Sequence, residues 1–499
     1  MYLFLAALLL GIYLFHEFYW KRRNFPPVIF GPTPLPLFGN LVTLLKHEPG
    51  YDAFTKWKKR FGPIYTFWLA NRPMVVISDY ESMKNTFVKD ADSYLGKMNR
   101  EVALHVFRGG YYGIIDTSGD VWREHRRFAL QVFRNLGLGK NLMQEKILYE
   151  VDALIEDLNG LSKSGEEFSI QEIWDKRVGC VINQMLFGYR FDENTTDEFR
   201  YLKRLLSEAM REVSQPATII SLMYPITRYI LPFGPIGKSR WDKMLCYWRA
   251  FMDFFDKQIG AHKVNYEEEE SRDYVEAYLK EKKKCEDQGD FKSYSILQLK
   301  SALFDLWIGG LETTSNTLTW LIVYILHNPT VQDKIHEELD RVIGSGRIIT
   351  TADKAGLPYT NAVINETQRL ANLLPMNLIH ELSRDVDLMG CRLKTGTAVV
   401  AQISAVLYDD KVFPEPYEFR PERFLDTNGN LTRVDELIPF SIGRRQCLGE
   451  GLARMELFLF AANLFNRFRI SSNSLPSMKK RFGTTVQPIP FRCNISVRR

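Results

Sequence analysis

The chain opens on fifteen residues without a charge, MYLFLAALLLGIYLF, and Glu17 is the first charged side chain after them. Tyr19, Trp20 and the basic run Lys21, Arg22, Arg23 follow. A helix of about 20 residues matches the roughly 30 Å of bilayer hydrocarbon. Residues 1–20 therefore read as one membrane-spanning anchor, with the basic run on the cytosolic side. The alternative, a cleaved signal, needs a basic start and a small-residue cleavage site, and neither is present. Residues 21–40 are basic and then proline-rich, FPPVIFGPTPLPLFGN, which predicts a stiff hinge. From 41 to 499 helical periodicity prevails, with strand signals at 63–69, 74–78 and 397–404. No repeat or second linker interrupts it, so this stretch reads as one large, mainly helical domain with a small β-rich region. The segment 305–329 is apolar on nearly every face, which predicts a central buried helix ended by Pro329. The densely charged run 265–290 reads as solvated surface.

Composition adds little: 45% hydrophobic, 25% charged and a formal net charge of +5 over 499 residues. That charge is too diffuse for nucleic-acid binding, which needs a concentrated basic face. The six cysteines, at 180, 246, 285, 391, 447 and 493, form no knuckle and no CxxC pair, which favours reduced thiols.

Four stretches suggest chemistry. In FSIGRRQCLGEG, Cys447 stands between Gly443 and Gly449 at the entrance to an apolar helix. A helix N-terminus favours thiolate, and glycine lets backbone N–H groups approach the sulfur. The alternative is a buried structural cysteine. In GGLETT, each glycine costs about 1 kcal/mol against alanine. Gly309 and Gly310 thus imply either a large flat neighbour or close helix packing, and Thr313 can bond back to the Gly309 carbonyl. Glu312 and Thr313 would form an acid–alcohol pair beside that gap. In NETQRL, Glu366 and Arg369 share a helix face, and Arg423 of FRPERF is a second arginine for the same carboxylate. In DVWREHRRF, Trp122 and Arg126 project together and suit an anion.

Together, and in this order, these stretches resemble the cytochrome P-450 family of haem-thiolate monooxygenases. The cysteine pattern FxxGxRxCxG is met by Phe440, Gly443, Arg445, Cys447 and Gly449. The helix pattern is met by Gly309, Gly310, Glu312, Thr313 and Thr314, and ExxR by Glu366 and Arg369. The resemblance covers nearly the whole chain and is greatest to the animal microsomal branch that oxidises drugs, fatty acids and steroids. It departs at PPVIFGPTP, where a PPGP run is usual. It implies the cytochrome P-450 fold, haem b, and Cys447 as the iron ligand. Trp122, Arg126, His380 and Arg445 would meet the haem propionates, Phe440 would shield the sulfur, and Gly449 would flank it. Glu312 and Thr313 would deliver protons during insertion of one oxygen atom of O2 into a lipophilic substrate.

No nucleotide-binding glycine loop is present. Electrons from NADPH would therefore come through a flavoprotein carrying FAD and FMN, similar to NADPH–cytochrome P-450 reductase, with cytochrome b5 a candidate second donor. Arg123, Arg127 and Arg444 are candidates for docking it. The resemblance implies an endoplasmic reticulum membrane protein, single-pass, with a cytosolic body, and so no glycosylation at Asn194, Asn365, Asn430 or Asn494. Two other classes are an O2-independent peroxide isomerase and a non-enzymatic haem sensor; an intact Glu312–Thr313 pair disfavours both. The substrate pocket would draw Arg108 and Ile114 from one loop, Phe304, Trp307 and Ile308 from the central helix, and Leu374 beyond the ExxR helix. Arg108 either grips a fatty-acid carboxylate or pairs with Asp305. Buried charges are usually paired internally, so the pairing is expected.

Overall fold

The computed structural model describes residues 2–16, 19, 30–47, 49–98, 100–137, 141–231, 236–262 and 270–498. The first half of the hinge and part of the charged run 265–290 lie outside them. Helix α1, Tyr2–Phe15, is fully apolar and buries none of its side chains. Its 14 residues extend about 21 Å at 1.5 Å per residue. Among the described residues no helix is long and apolar enough to cross a membrane. The end of the hinge is tied to the body. Asn40 donates its side-chain amide to the Thr33 carbonyl and accepts from the Trp68 N–H, at 3.1 and 2.8 Å.

The sheet beneath it runs β1 (Ile64–Leu69), β2 (Arg72–Ile77), β5 (Ala398–Ala401), β4 (His380–Glu381) and β3 (Gly96–Lys97) in spatial order. β2 and β5 are parallel and the other neighbours antiparallel. β1, β2 and β5 carry the apolar runs that predicted them. β3 and β4 are two residues each, too short to show any alternation.

Helices build the rest: α2 (Glu101–Arg108), α3 (Gly119–Asn135), α4 (Asn141–Ser164), α5 (Ile170–Phe187), α6 (Thr196–Val213), α7 (Lys238–Ala261), α8 (Ile296–His327), α9 (Pro358–Ala371) and α10 (Glu450–Arg467). α8 is 32 residues long and caps its first turn with Ser295. From Thr314 to Leu326 it is buried throughout, as its apolar circumference requires. Pro329 opens the following helix, Pro329–Val342, at the position where its missing N–H is harmless. The two glycines of α8 have different causes. A Cβ on Gly310 would lie 2.3 Å from Ile182 on α5, so Gly310 serves helix packing. A Cβ on Gly309 would meet nothing within 4 Å.

α9 is fixed by one carboxylate. Glu366 accepts two bonds from Arg369, at 2.7 and 2.8 Å, one from Arg423 at 3.0 Å and one from the Arg420 N–H at 2.9 Å. Arg369 also donates to the carbonyls of Leu407 and Pro416. Glu366 and Arg369 are wholly buried. Both arginines reach the one carboxylate, and these bonds tie α9 to the segment 407–423. Glu366→Ala leaves two buried cations without their acid, which costs about 3–5 kcal/mol. Low soluble yield and loss of cofactor on purification are expected; normal yield with full cofactor content would show the cluster to be dispensable.

Candidate active site

Cys447 lies two residues before the Gly449 cap of α10. Its loop is held tightly: the Cys447 N–H donates to the Phe440 carbonyl at 2.9 Å. Gly443 turns with φ +84°, and a Cβ there would lie 2.0 Å from the Phe87 carbonyl, so only glycine fits. Cys447 is exposed as a residue, yet neighbouring atoms desolvate its thiol. Burial pushes the thiol up, while the Gly449 N–H and Arg126 pull it down; the net direction is up. The expected lowering by the helix terminus is therefore outweighed by desolvation. A metal ion would reverse this, since a coordinating thiol is deprotonated outright.

Around this loop five residues converge. Arg445 rests on the Trp122 ring at 3.8 Å and donates to the carbonyls of Leu95 and Thr117, both at 2.7 Å. Arg126, one turn after Trp122 on α3, donates to the Gln446 carbonyl at 2.7 Å. His380 donates Nδ1–H to the Tyr94 carbonyl at 2.7 Å, and burial keeps it neutral. Lys97 faces His380 directly across the β3–β4 pairing. Burial and then Arg445 push Lys97 down to about 7. Burial and Arg126 push Arg445 down to about 9. The nearby acid Asp116 is already bonded to Arg100. Cations crowded in this way lack anions, and a bound group with carboxylates would supply them. Lys97 had no signal in the sequence; only the two-residue strand brings it here. Phe440 is half-buried under the Arg454 guanidinium, 4.9 Å away.

On α8 the stripe Leu306, Gly309, Thr313 is open, and Gly309 is the one exposed residue between 298 and 326. Thr313 donates its hydroxyl to the Gly309 carbonyl at 2.7 Å, as its spacing predicted. Glu312 does not join it. Its carboxylate accepts from Lys203 of α6 at 2.6 Å, from Asn316 at 2.9 Å and from Gln487. Burial opposes ionisation, but Lys203 outweighs it and holds Glu312 below the usual carboxylate range. Neighbouring residues on a helix diverge by about 100°, so the acid and alcohol have separate environments. Lys203 and Gln487 are distant in sequence and gave no hint of this.

The substrate candidates divide. Arg108 donates to both Asp305 oxygens, at 2.7 and 3.2 Å, and to the Tyr112 carbonyl. Asp305 also accepts the N–H groups of Ile114 and Ile115. Arg108 is thus a loop pin and not a free cation, and Ile114 is held by the same carboxylate. Trp307 is wholly buried against Phe251 and Phe254, in the core and not on a pocket wall. Phe304 packs on Trp248 and Phe251. Phe304, Ile308 and Leu374 are half-buried.

The cytochrome P450 family model matches residues 30–494. The chain belongs to the cytochrome P450 family. It is 34% identical over 495 residues to cytochrome P450 2J3 of Rattus norvegicus, covering 98% of this chain and 95% of the relative. It is 34% identical over 460 residues to cytochrome P450 2C26 of Mesocricetus auratus, covering 91% and 89%. It is 33% identical over 507 residues to cytochrome P450 2D4 of Rattus norvegicus, covering 99% and 97%. It is a haem-thiolate monooxygenase, as these animal microsomal relatives show.

Cytochromes P450 carry haem b, and the residues fit it. Cys447 would supply the thiolate ligand, the Gly309 stripe leaves open space beside α8, and the crowded cations Lys97, Arg126 and Arg445 would meet the propionates. A different group stands out in this P450. Glu456, on α10, is buried beside Thr314 but completes no hydrogen bond. Burial raises its pKa from 4.5 to about 8. The unfolded chain releases this proton near pH 4.5, whereas the fold keeps it to about pH 8. Stability therefore falls as pH rises across that window, at most about 1.4 kcal/mol per pH unit. Glu456→Gln should flatten this part of the profile in denaturant melts between pH 5 and pH 9. An unchanged slope would place the titration elsewhere.

Proposed function

We propose that this cytochrome P450 oxidises lipophilic small molecules at the endoplasmic reticulum membrane, with electrons from NADPH through a flavoprotein reductase. The observation that carries the reading is the polarity of the pocket side of α8. Its open stripe offers an aliphatic side chain, a glycine and one hydroxyl, while both nearby charges are spoken for. Arg108 is taken by Asp305, and Glu312 by Lys203. Apolar walls with few polar groups favour lipophilic ligands. Bound haem supplies the redox chemistry that activates O2. The chain's own residues hold that group, exclude charge from the substrate side, and keep the Thr313 hydroxyl on the Gly309 carbonyl. From there Thr313 can pass a proton into the open stripe.

The membrane site is supported by an exposed apolar patch on the body. Leu35, Leu37 and Phe38 are exposed beside Ile226, Tyr229 and Leu231, and Tyr224 donates to the Leu37 carbonyl at 3.0 Å. A basic cleft of about 310 Å³ supports an acidic electron donor; Arg123, Arg126, Arg127, Arg134 and Arg444 line it.

The reading is tested by turnover of a panel of neutral and acidic lipophiles with NADPH and a microsomal reductase. Absence of reductase-dependent product would refute it. In the same assay Thr313→Ala is expected to keep haem and substrate affinity. Its product per NADPH should fall by roughly 10-fold or more as peroxide accumulates; unchanged coupling removes Thr313 from proton delivery. Arg108→Leu strands Asp305 and is expected to lower turnover of a long-chain fatty acid and of a neutral lipophile alike. Loss confined to the acid would restore Arg108 as a carboxylate grip.

A further inference from the structure

We propose that the cleft between α4, α5 and α6 binds a single-chain amphipathic anion of the fatty-acid type, at a site separate from the haem pocket. The cleft measures about 660 Å³, a volume typical of small-molecule sites. One side is apolar. Leu161 of α4, Phe168 and Ile173 at the start of α5, and Phe199 of α6 line it. Such a wall suits an alkyl chain.

The other side is cationic. Lys176 of α5 and Arg204 of α6 line the cleft, and no carboxylate of the described residues pairs with either. Arg204 only rests on the ring of Tyr201, at 5.9 Å. Arg492 donates to a neutral acceptor, the Glu167 carbonyl, and keeps its charge uncompensated. The acids of the cleft are largely spent. Asp157 is bonded to Arg177, and Asp175 lies 3.2 Å from Lys203. Glu172 remains, exposed at the mouth. Free cations thus outnumber free acids beside an apolar wall. A carboxylate head meets Lys176 and Arg204 while its chain covers Phe168, Ile173 and Phe199. A neutral lipid leaves the cations unanswered, and a small inorganic anion leaves the wall bare.

The floor gives the site a connection inward. Lys203 borders the cleft and also holds Glu312 of α8. An occupant of the cleft therefore lies one ion pair away from the helix that bounds the haem pocket.

The test uses full-length holoenzyme in phosphatidylcholine discs, with the haem pocket closed by a tight azole whose absorbance is followed throughout. Dodecanoate is titrated calorimetrically, and heats of empty discs are subtracted. One residual binding event is expected, with the azole spectrum unchanged. Dodecanol should bind about 10-fold or more weakly, as expected when charge contacts worth about 1.4 kcal/mol together are lost. The double variant Lys176→Glu with Arg204→Glu should weaken dodecanoate by a similar factor. Ile173→Trp, which fills the cleft and leaves the charges, should remove the event. No residual binding, equal binding of dodecanol, or binding indifferent to both variants would overturn the proposal.

Discussion

One buried carboxylate carries much of this architecture. Glu366 accepts four hydrogen bonds, three from arginine side chains and one from a backbone N–H. Removing a charge from water costs several kcal/mol per ion and is repaid only by near-complete satisfaction. That demand fixes the rotation of α9 and draws in the carbonyls of Leu407 and Pro416 through Arg369. The segment from 407 to 423 is then set, and it leads directly into the loop that presents Cys447. Catalytic geometry thus rests on a charge that never meets substrate.

The site itself separates charge by side. Cations gather at the edge where Lys97, Arg126 and Arg445 crowd one another. The acid of α8 is turned away and neutralised by Lys203. Between them lies a stripe whose only polar side-chain atom is the Thr313 hydroxyl. Such an arrangement would hold the carboxylates of a bound haem with Lys97, Arg126 and Arg445 and would leave the open stripe of α8 to apolar ligands. Desolvation raises the Cys447 thiol against the pull of the Gly449 N–H, and a bound metal ion would make it a thiolate outright.

The parts legible in the sequence were those with local spacing. The Cys447 loop, the Glu366–Arg369 turn and the Trp122–Arg126 pair sit within a few residues, where helical geometry dictates who meets whom. The long α8 declared itself through its apolar circumference. What escaped depends on partners far apart in the chain. Lys203 lies 109 residues from Glu312, and nothing in GGLETT signals that its acid turns towards α6. Trp307 read as a pocket residue by resemblance, yet its own face of α8 meets Phe251. Arg108 was legible only as a choice, and the Asp305 geometry decides it. Strands of two residues have no periodicity to detect, so Lys97 remained invisible.

The pairing of Lys97 with His380 has a consequence for assembly. Both residues reach the cradle only if β3 and β4 hold their register, because a slip by one residue turns each side chain to the opposite face. Yet two short strands bring little cohesion of their own, and the ammonium they deliver is repelled by Arg445. An anion in the cradle removes the repulsion, and any ligand that binds only the ordered form stabilises that form by mass action. A cofactor whose carboxylates meet Lys97 and Arg445 would in this way favour the paired form of β3 and β4.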